Sequence, residues 1–315
     1  MTRIVRFIDD TASAPAVQTG IADDQGKIRA FPEGTQIADL LRLRAAALRD
    51  LAEATAAGRP THTEHEVLLL PPLDGRMELW AAGVTYERSR AARVAESTEQ
   101  TVYERIYDAE RPELFFKAVP WRIVTDGEPV ALRADSPLNV PEPELGLVVN
   151  RHGETVGCLI VDDVSSRSIE GENPLYLPQA KIYAGSCAVS AALVPAWEIT
   201  DPGALEIALV VRRGGGIAYE GTTSTAAFHR TPHELVGHLR RGQPFPDGVV
   251  LSTGTGIVPE LDFTLAAGDL VEITIEGLGT LTNTVTDELA DLDWLVEAAD
   301  RPEIRRAHRR PRGDD

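Results

Sequence analysis

Lysine is almost missing from this chain. Lys27, Lys117 and Lys181 are its only lysines in 315 residues, although arginine is plentiful. A coding bias towards arginine explains the surface, so a lysine that persists in an apolar run marks work that a guanidinium cannot do. A compact amine with an adjustable pKa suits proton transfer. Lys117 follows Phe115-Phe116 and Lys181 follows Leu177-Pro178-Gln179-Ala180, and neither fits the pattern of a solvated helix face. Basic charge is scarce altogether: the net charge of −18 excludes the basic footprint that nucleic acid needs. Aromatics make up only 5% of the chain while Gly and Pro number 26 and 21, which favours a β-rich, loop-rich body over a helix bundle. The two cysteines, Cys158 and Cys187, stand in apolar surroundings and read as reduced, packed thiols of a cytoplasmic protein. No apolar run approaches membrane-spanning length, and Met1-Thr2-Arg3-Ile4-Val5-Arg6-Phe7 lacks the apolar core of a signal peptide.

What is present divides the chain into three parts. Residues 1–73 read as a small N-terminal α+β domain, 74–300 as a mostly β body, and 301–315 as a frayed, charged tail. In the first part Ile4-Val5-Arg6-Phe7 is a short strand and Gln25-Gly26 opens a hairpin. Residues 37–57 have helical spacing, ending at Gly58 with Pro60 beyond. In the body, Leu79–Gly83, Leu145–Val149, Val156–Val161, Ala208–Val211, Val249–Leu251 and Leu270–Ile275 are strand-like. The stretch from Tyr86 to about Tyr107 reads as helical. Thr231-Pro232-His233-Glu234 caps a further helix that runs through Leu239. His229, His233 and His238 do not fall on one face, so they read as solvated or capping residues rather than zinc ligands.

The chemistry concentrates in Pro141-Glu142-Pro143-Glu144-Leu145-Gly146-Leu147 and in Val161-Asp162-Asp163-Val164-Ser165-Ser166-Arg167. Glutamates two apart on an extended segment share a face. A further carboxylate arrives on the next apolar run after a turn at Arg151-His152-Gly153-Glu154. Such acids are either exposed residues of an acidic chain or an all-oxygen site of the kind hard cations prefer.

Taken in order, Glu142-x-Glu144, Asp162-Asp163-Val164-Ser165-Ser166-Arg167, Lys181, Leu251-Ser252-Thr253-Gly254-Thr255-Gly256 and Gly268-Asp269-Leu270-Val271-Glu272 to Leu281 resemble the fumarylacetoacetate hydrolase superfamily across roughly residues 78 to 290. The resemblance implies an α+β, mostly β fold, a mixed β-sandwich roll assembled as a homodimer or homotetramer. It also implies a Mg²⁺ site, or one for Ca²⁺ or Mn²⁺, on Glu142, Glu144 and Asp163. Asp162 stands where the family usually has asparagine. The segments Arg111-Pro112-Glu113-Leu114-Phe115-Phe116-Lys117 and Arg167 to Tyr183 resemble the 2-keto-3-deoxy-D-arabinonate dehydratase branch, although Ser168 replaces a usual aspartate. Hydrolytic members usually carry Asn-Tyr-x-x-His after the first core strand. Here Tyr86 is kept, but Ser89 takes the histidine position, and serine cannot replace imidazole as a general base near neutral pH.

These residues imply a dehydratase acting on a 2-keto-3-deoxy sugar acid. Its carboxylate and keto oxygens would chelate the metal, which would stabilise the enolate left by loss of a C3 proton. Lys181 is expected to be the C3 base or the donor to that enolate, and Glu113 the acid/base at the leaving hydroxyl. Tyr86, Lys181, Thr253 and Gly254 are expected to bind substrate, Arg167 to brace the loop after Asp163, and Lys117 to make a structural contact. The same metal motif also suits a C–C hydrolase, a decarboxylase or a tautomerase. An inactive binding or assembly subunit is the reading from outside enzymology.

Overall fold

The computed structural model describes residues 1–9, 16–96 and 107–309. The N-terminal segment supplies β1 (Arg3–Asp9), β2 (Val17–Ala22), β3 (Lys27–Ala30), the short β4 (His62–Thr63) and β5 (Val67–Leu70). Gly26, at φ 72°, makes the tight β2–β3 turn that a side chain would strain. The helical pattern of residues 37–57 is divided between α1 (Ile37–Leu40) and α2 (Ala45–Ala56). The division has a local cause. The Glu154 carboxylate accepts from the Ala45 N–H at 2.9 Å, and Asn150 Nδ2 donates to the Leu43 carbonyl at 3.0 Å. Partners from the body therefore start α2 afresh, in place of a continuous helix.

The body begins with β6 (Leu79–Gly83), α3 (Glu87–Glu96) and β7 (Glu113–Ala118), followed by the short β8 (Val124–Thr125), β9 (Val130–Ala131) and β10 (Asn139–Val140). The remainder of the helix expected up to Tyr107 lies outside the described residues. The central pair is β11 (Pro143–Val149) and β12 (Thr155–Asp163). After the short β13 (Ser165–Ser166) come α4 (Arg167–Glu172), α5 (Leu177–Lys181), β14 (Cys187–Val189) and β15 (Ala192–Pro195). Then follow β16 (Glu206–Arg213), β17 (Gly216–Ser224), α6 (Pro232–Leu239), β18 (Val249–Ser252), β19 (Leu270–Ile275), β20 (Gly279–Thr286) and α7 (Trp294–Glu297).

These strands form a 13-stranded sheet whose main path is β4-β3-β2-β1-β15-β12-β11-β18-β6-β7, a 5-stranded sheet β17-β16-β19-β20-β9, and the separate pair β10-β13. Leu145, Leu147, Val149, Cys158 and Ile160 pack with Leu209, Ile273 and Leu281 of the smaller sheet. The opposite face, through Val148, Leu159 and Val161, packs with Ile4, Ile21, Leu40, Leu41 and Leu48. The β11–β12 hairpin is thus covered on both sides, as its nearly unbroken apolar sequence requires. The N-terminal strands continue this sheet, because β1 pairs with β15. Asp247 reinforces the junction by accepting from Arg42 at 2.8 Å and Arg76 at 3.0 Å.

The C-terminal end corrects the expectation of a frayed tail from residue 301. Pro302–His308 forms a 3-10 helix, and Arg305 is buried. Its guanidinium reaches Glu128 at 2.6 Å, a carboxylate also held by Arg309 at 3.1 Å. Residues 310–315 lie outside the described residues. A carboxylate buried this completely is costly once its partner is gone. Arg305→Ala should therefore destabilise the protein by about 3 kcal/mol or more, read as a lower midpoint in urea unfolding. An unchanged midpoint would mean that the terminal helix is not docked in solution.

Candidate active site

The register of the central hairpin determines which acids meet. Pro143 lies opposite Asp162 and Glu144 opposite Val161. One step further along, the Asp163 N–H donates to the Glu142 carbonyl at 3.0 Å. Residues opposite one another share a face and neighbours alternate. Glu142, Glu144 and Asp163 therefore converge, and one carboxylate oxygen from each lies within 4.8 Å of the others. Asp162 faces the other way, where its carboxylate accepts the Glu142 N–H at 3.0 Å. Burial pushes the Asp162 carboxyl up to about 7.

All three converging acids are buried. Glu144 Oε2 accepts from Ser252 Oγ at 2.6 Å and from the Gly254 N–H at 2.8 Å. Burial, followed by the charges of Asp163 and Glu142, still drives its pKa well above the ordinary carboxylate range. Lys181 Nζ lies 2.7 Å from Glu142 Oε2, 3.1 Å from Asp163 Oδ2 and 2.6 Å from Ser165 Oγ. Lys117 Nζ pairs with the other oxygen of Asp163 at 2.5 Å and donates to the Lys181 carbonyl at 2.6 Å. Burial pushes the Asp163 carboxyl up, but Lys117 and Lys181 together outweigh it and hold the group below its ordinary value.

The chemistry of this donor set fits a hard divalent cation. Four buried carboxylates, Glu142, Glu144, Asp163 and Glu170, stand against three buried cations, Lys117, Lys181 and Arg167. With all four ionised and Asp162 protonated, the cluster is one positive charge short. A divalent cation together with a monoanionic acid closes the balance, and carboxylate oxygens are the ligands that Mg²⁺ prefers.

A cleft opens onto the cluster, lined by Gly83, Val84, Ser89, Phe115, Lys181 and Gly254 among others. Val84 has φ 55°, a strained conformation for a β-branched residue at a functional site. Its neighbour Thr85 donates to the Thr253 carbonyl at 2.6 Å and so ties this segment to the one after β18. Gly254 permits that approach, since a Cβ there would lie 2.2 Å from Thr85 Oγ1. Glu113 pairs with Gly83 across β6–β7, and its carboxyl packs on that glycine at the edge of the cleft. Tyr86 is buried against Phe228. Among the described residues no protein group bonds its hydroxyl. Burial, then Glu144, raises the Tyr86 pKa, so the phenol stays protonated.

The Thr253 and Gly254 donors are placed otherwise than the sequence suggested. The Thr253 hydroxyl donates to the Leu145 carbonyl at 2.8 Å, while Thr255 lines the cleft. The Gly254 N–H is engaged by Glu144. Arg167 both lines the cleft and donates to the Pro259 carbonyl at 2.6 Å. Ser89 hydrogen-bonds the Tyr86 carbonyl at 2.8 Å at the start of α3. Ser168, the departure from the dehydratase pattern, bonds Ser136 at 2.7 Å. Sequence reasoning missed Ser165, Ser252 and Glu170. All three stand inside the motif segments, which were the signal that could have pointed to them.

Comparison with known proteins agrees with this geometry. Residues 79–286 match the fumarylacetoacetate (FAA) hydrolase C-terminal family, and the chain belongs to that family. A probable 2-keto-3-deoxyxylonate dehydratase of Haloferax volcanii is 42% identical over 277 residues, covering 88% of this chain and 94% of that protein. A 2-dehydro-3-deoxy-D-arabinonate dehydratase of Saccharolobus solfataricus is 45% identical over 225 residues, 70% of this chain and 75% of that protein. A solved structure of 2-keto-3-deoxy-D-arabinonate dehydratase complexed with magnesium and 2,5-dioxopentanoate superposes with a TM-score of 0.77 at 36% identity, covering 91% of this chain and 99% of the other.

Metal binding can be tested without turnover. Glu144→Ala relieves repulsion and should leave the protein folded while weakening Mn²⁺ binding by more than about a hundredfold, beyond the effect of an outer hydrogen-bond partner. Asp162→Asn should cost less than about tenfold. Titration calorimetry on both variants reads this directly, and equal losses would contradict the assignment of faces.

Proposed function

We propose that this chain is a Mg²⁺-dependent carbon–oxygen lyase that dehydrates a 2-keto-3-deoxy sugar acid. The observation that carries the reading is the buried carboxylate triad, with Lys181 bridging Glu142 and Asp163, in a cleft where Ser89 rather than an imidazole lies beside the tyrosine. The two dehydratase relatives and the magnesium-bound neighbour support the same chemistry. A cation on Glu142, Glu144 and Asp163 supplies Lewis-acid withdrawal of charge from the 2-keto group.

The protein's own groups do the rest. Lys181 Nζ takes the C3 proton or holds a proton at the developing oxyanion; its contacts with Glu142, Asp163 and Ser165 fix the amine in place. Lys117 positions both partners, because it bonds Asp163 and the backbone of Lys181. Glu113, at the edge of the cleft beside Gly83, gives its proton to the hydroxyl leaving C4. The protonated Tyr86 hydroxyl is a donor available to substrate. Gly254 and Thr255 line the cleft together with Lys181. We place the enzyme in the cytoplasm, as its two buried free cysteines suit. We take it to be a homodimer or homotetramer, in keeping with exposed Leu175, Leu289 and Val296.

Two experiments test the roles. Lys181→Arg keeps the charge but removes a workable proton acceptor, so turnover should fall by about a hundredfold or more. Turnover equal to wild type would remove Lys181 from the mechanism. Glu113→Gln should abolish dehydration yet still exchange the substrate C3 proton with deuterated water. Ser89→Ala should lower turnover by less than about tenfold, below the range for a general acid or base. A severe Ser89→Ala defect with Glu113→Gln active would favour hydrolysis or decarboxylation instead.

A further inference from the structure

A second cleft, of about 450 Å³, lies at the other end of the β6–β7 pair from the metal cluster. Its wall includes Glu78, just before β6, and Val119, just after β7, whereas Gly83 and Glu113 mark the active-site end of the same strands. Three parts of the chain meet there: Arg6 of β1, the Val119–Trp121 turn, and the C-terminal helix through Pro302 and Arg305.

Arg6 is the unexplained group. Its side chain is only 20% exposed, yet its sole protein partner among the described residues is Asp74, with Nε 3.6 Å from Oδ2. That separation is an ion contact and not a hydrogen bond, and Nε is buried without a hydrogen-bond partner. Asp74 is already engaged, since its two oxygens accept the Ile37 and Ala38 N–H groups at 2.9 and 2.8 Å. A guanidinium carries five N–H donors in a planar fork, and leaving the Nε donor buried and unmatched is costly. The other cations of the cleft are satisfied: Arg305 by Glu128, and Arg76 by Asp247. One open fork therefore faces a cleft of mixed character, in which half-exposed Trp121, Val119, Pro120 and Pro302 stand beside Asp74 and Glu78.

We propose that this cleft is a second ligand site, in which Arg6 binds the oxyanion of a small carboxylate or phosphate compound whose apolar body lies against Trp121. Both head groups present paired oxygens at the spacing of the guanidinium fork, and arginine is the residue suited to such bidentate recognition. The site owes nothing to the metal centre, so it stands or falls independently of the proposed reaction.

The test is titration calorimetry with four probes on the full chain: inorganic phosphate, acetate, phenyl phosphate and benzoate. Saturable binding is expected for the aromatic members at least, and the tighter head group identifies the ligand class. Glu144→Ala should bind as wild type does, which separates the cleft from the active site. Arg6→Met should weaken binding by about tenfold or more, the loss expected for charge-assisted hydrogen bonds. Trp121→Ala should weaken the aromatic probes and leave any binding of inorganic phosphate or acetate unchanged. Should Arg6→Met fail to fold, Arg6→Lys decides, because it keeps the charge and loses the fork; it too should bind more weakly. Absence of saturable binding for all four probes, or undiminished affinity in the Arg6 variants, would overturn the proposal. In that case water alone hydrates Arg6.

Discussion

Glu142, Glu144 and Asp163 converge within 4.8 Å inside the protein, and the repulsion among them must be balanced before the chain can close around them. Much of the surrounding structure follows from that requirement. Lys117 and Lys181 approach Asp163 from β7 and α5, and Lys117 also grips the Lys181 backbone, so neither amine is placed without the other. Ser252 and the Gly254 N–H converge on Glu144 from the strand next to β11. Hydrogen bonds and partner charges of this kind are what make buried ions tolerable. Here they leave the cluster short of one positive charge, which suits a divalent cation and an anionic substrate.

The same constraint links fold to function. Because β11 and β12 are packed on both faces, their register cannot slip without driving the carboxylates into the core. The cleft around them is built from less regular backbone. Val84 sits at a positive φ, and Thr85 binds the segment after β18 where only glycine at position 254 allows the approach. A rigid hairpin holds the charges, and the two irregular segments form the walls against which a substrate lies.

Much of this was legible in the sequence, and for physical reasons. The period-2 spacing of Glu142 and Glu144 on an extended run puts both on one face. The scarcity of lysine made Lys117 and Lys181 conspicuous. The capped helix at Pro232–Leu239 forms where its signals lie, with the Thr231 side chain accepting from the Glu234 N–H. Other features depended on contacts that no local pattern encodes. The choice of Asp163 over Asp162 came from the family resemblance, and its physical reason, the strand register, lies in the tertiary structure. The break between α1 and α2 comes from Glu154 and Asn150, more than a hundred residues away. The docking of Arg305 on Glu128 was hidden in a run of charges that looks like a solvated tail. Thr253 resembled a substrate donor in the motif, but tertiary structure turns its hydroxyl to the Leu145 carbonyl.

Buried acids, their lysines and a hard cation together remove water from a 2-keto-3-deoxy acid. The most direct measurement is mass spectrometry of the products formed from 2-keto-3-deoxy-D-arabinonate, with Mg²⁺ present and again in excess chelator. A single product lighter than the substrate by one water is expected, formed only with the metal. Release of carbon dioxide, two carbon fragments, or the same product in excess chelator would contradict it.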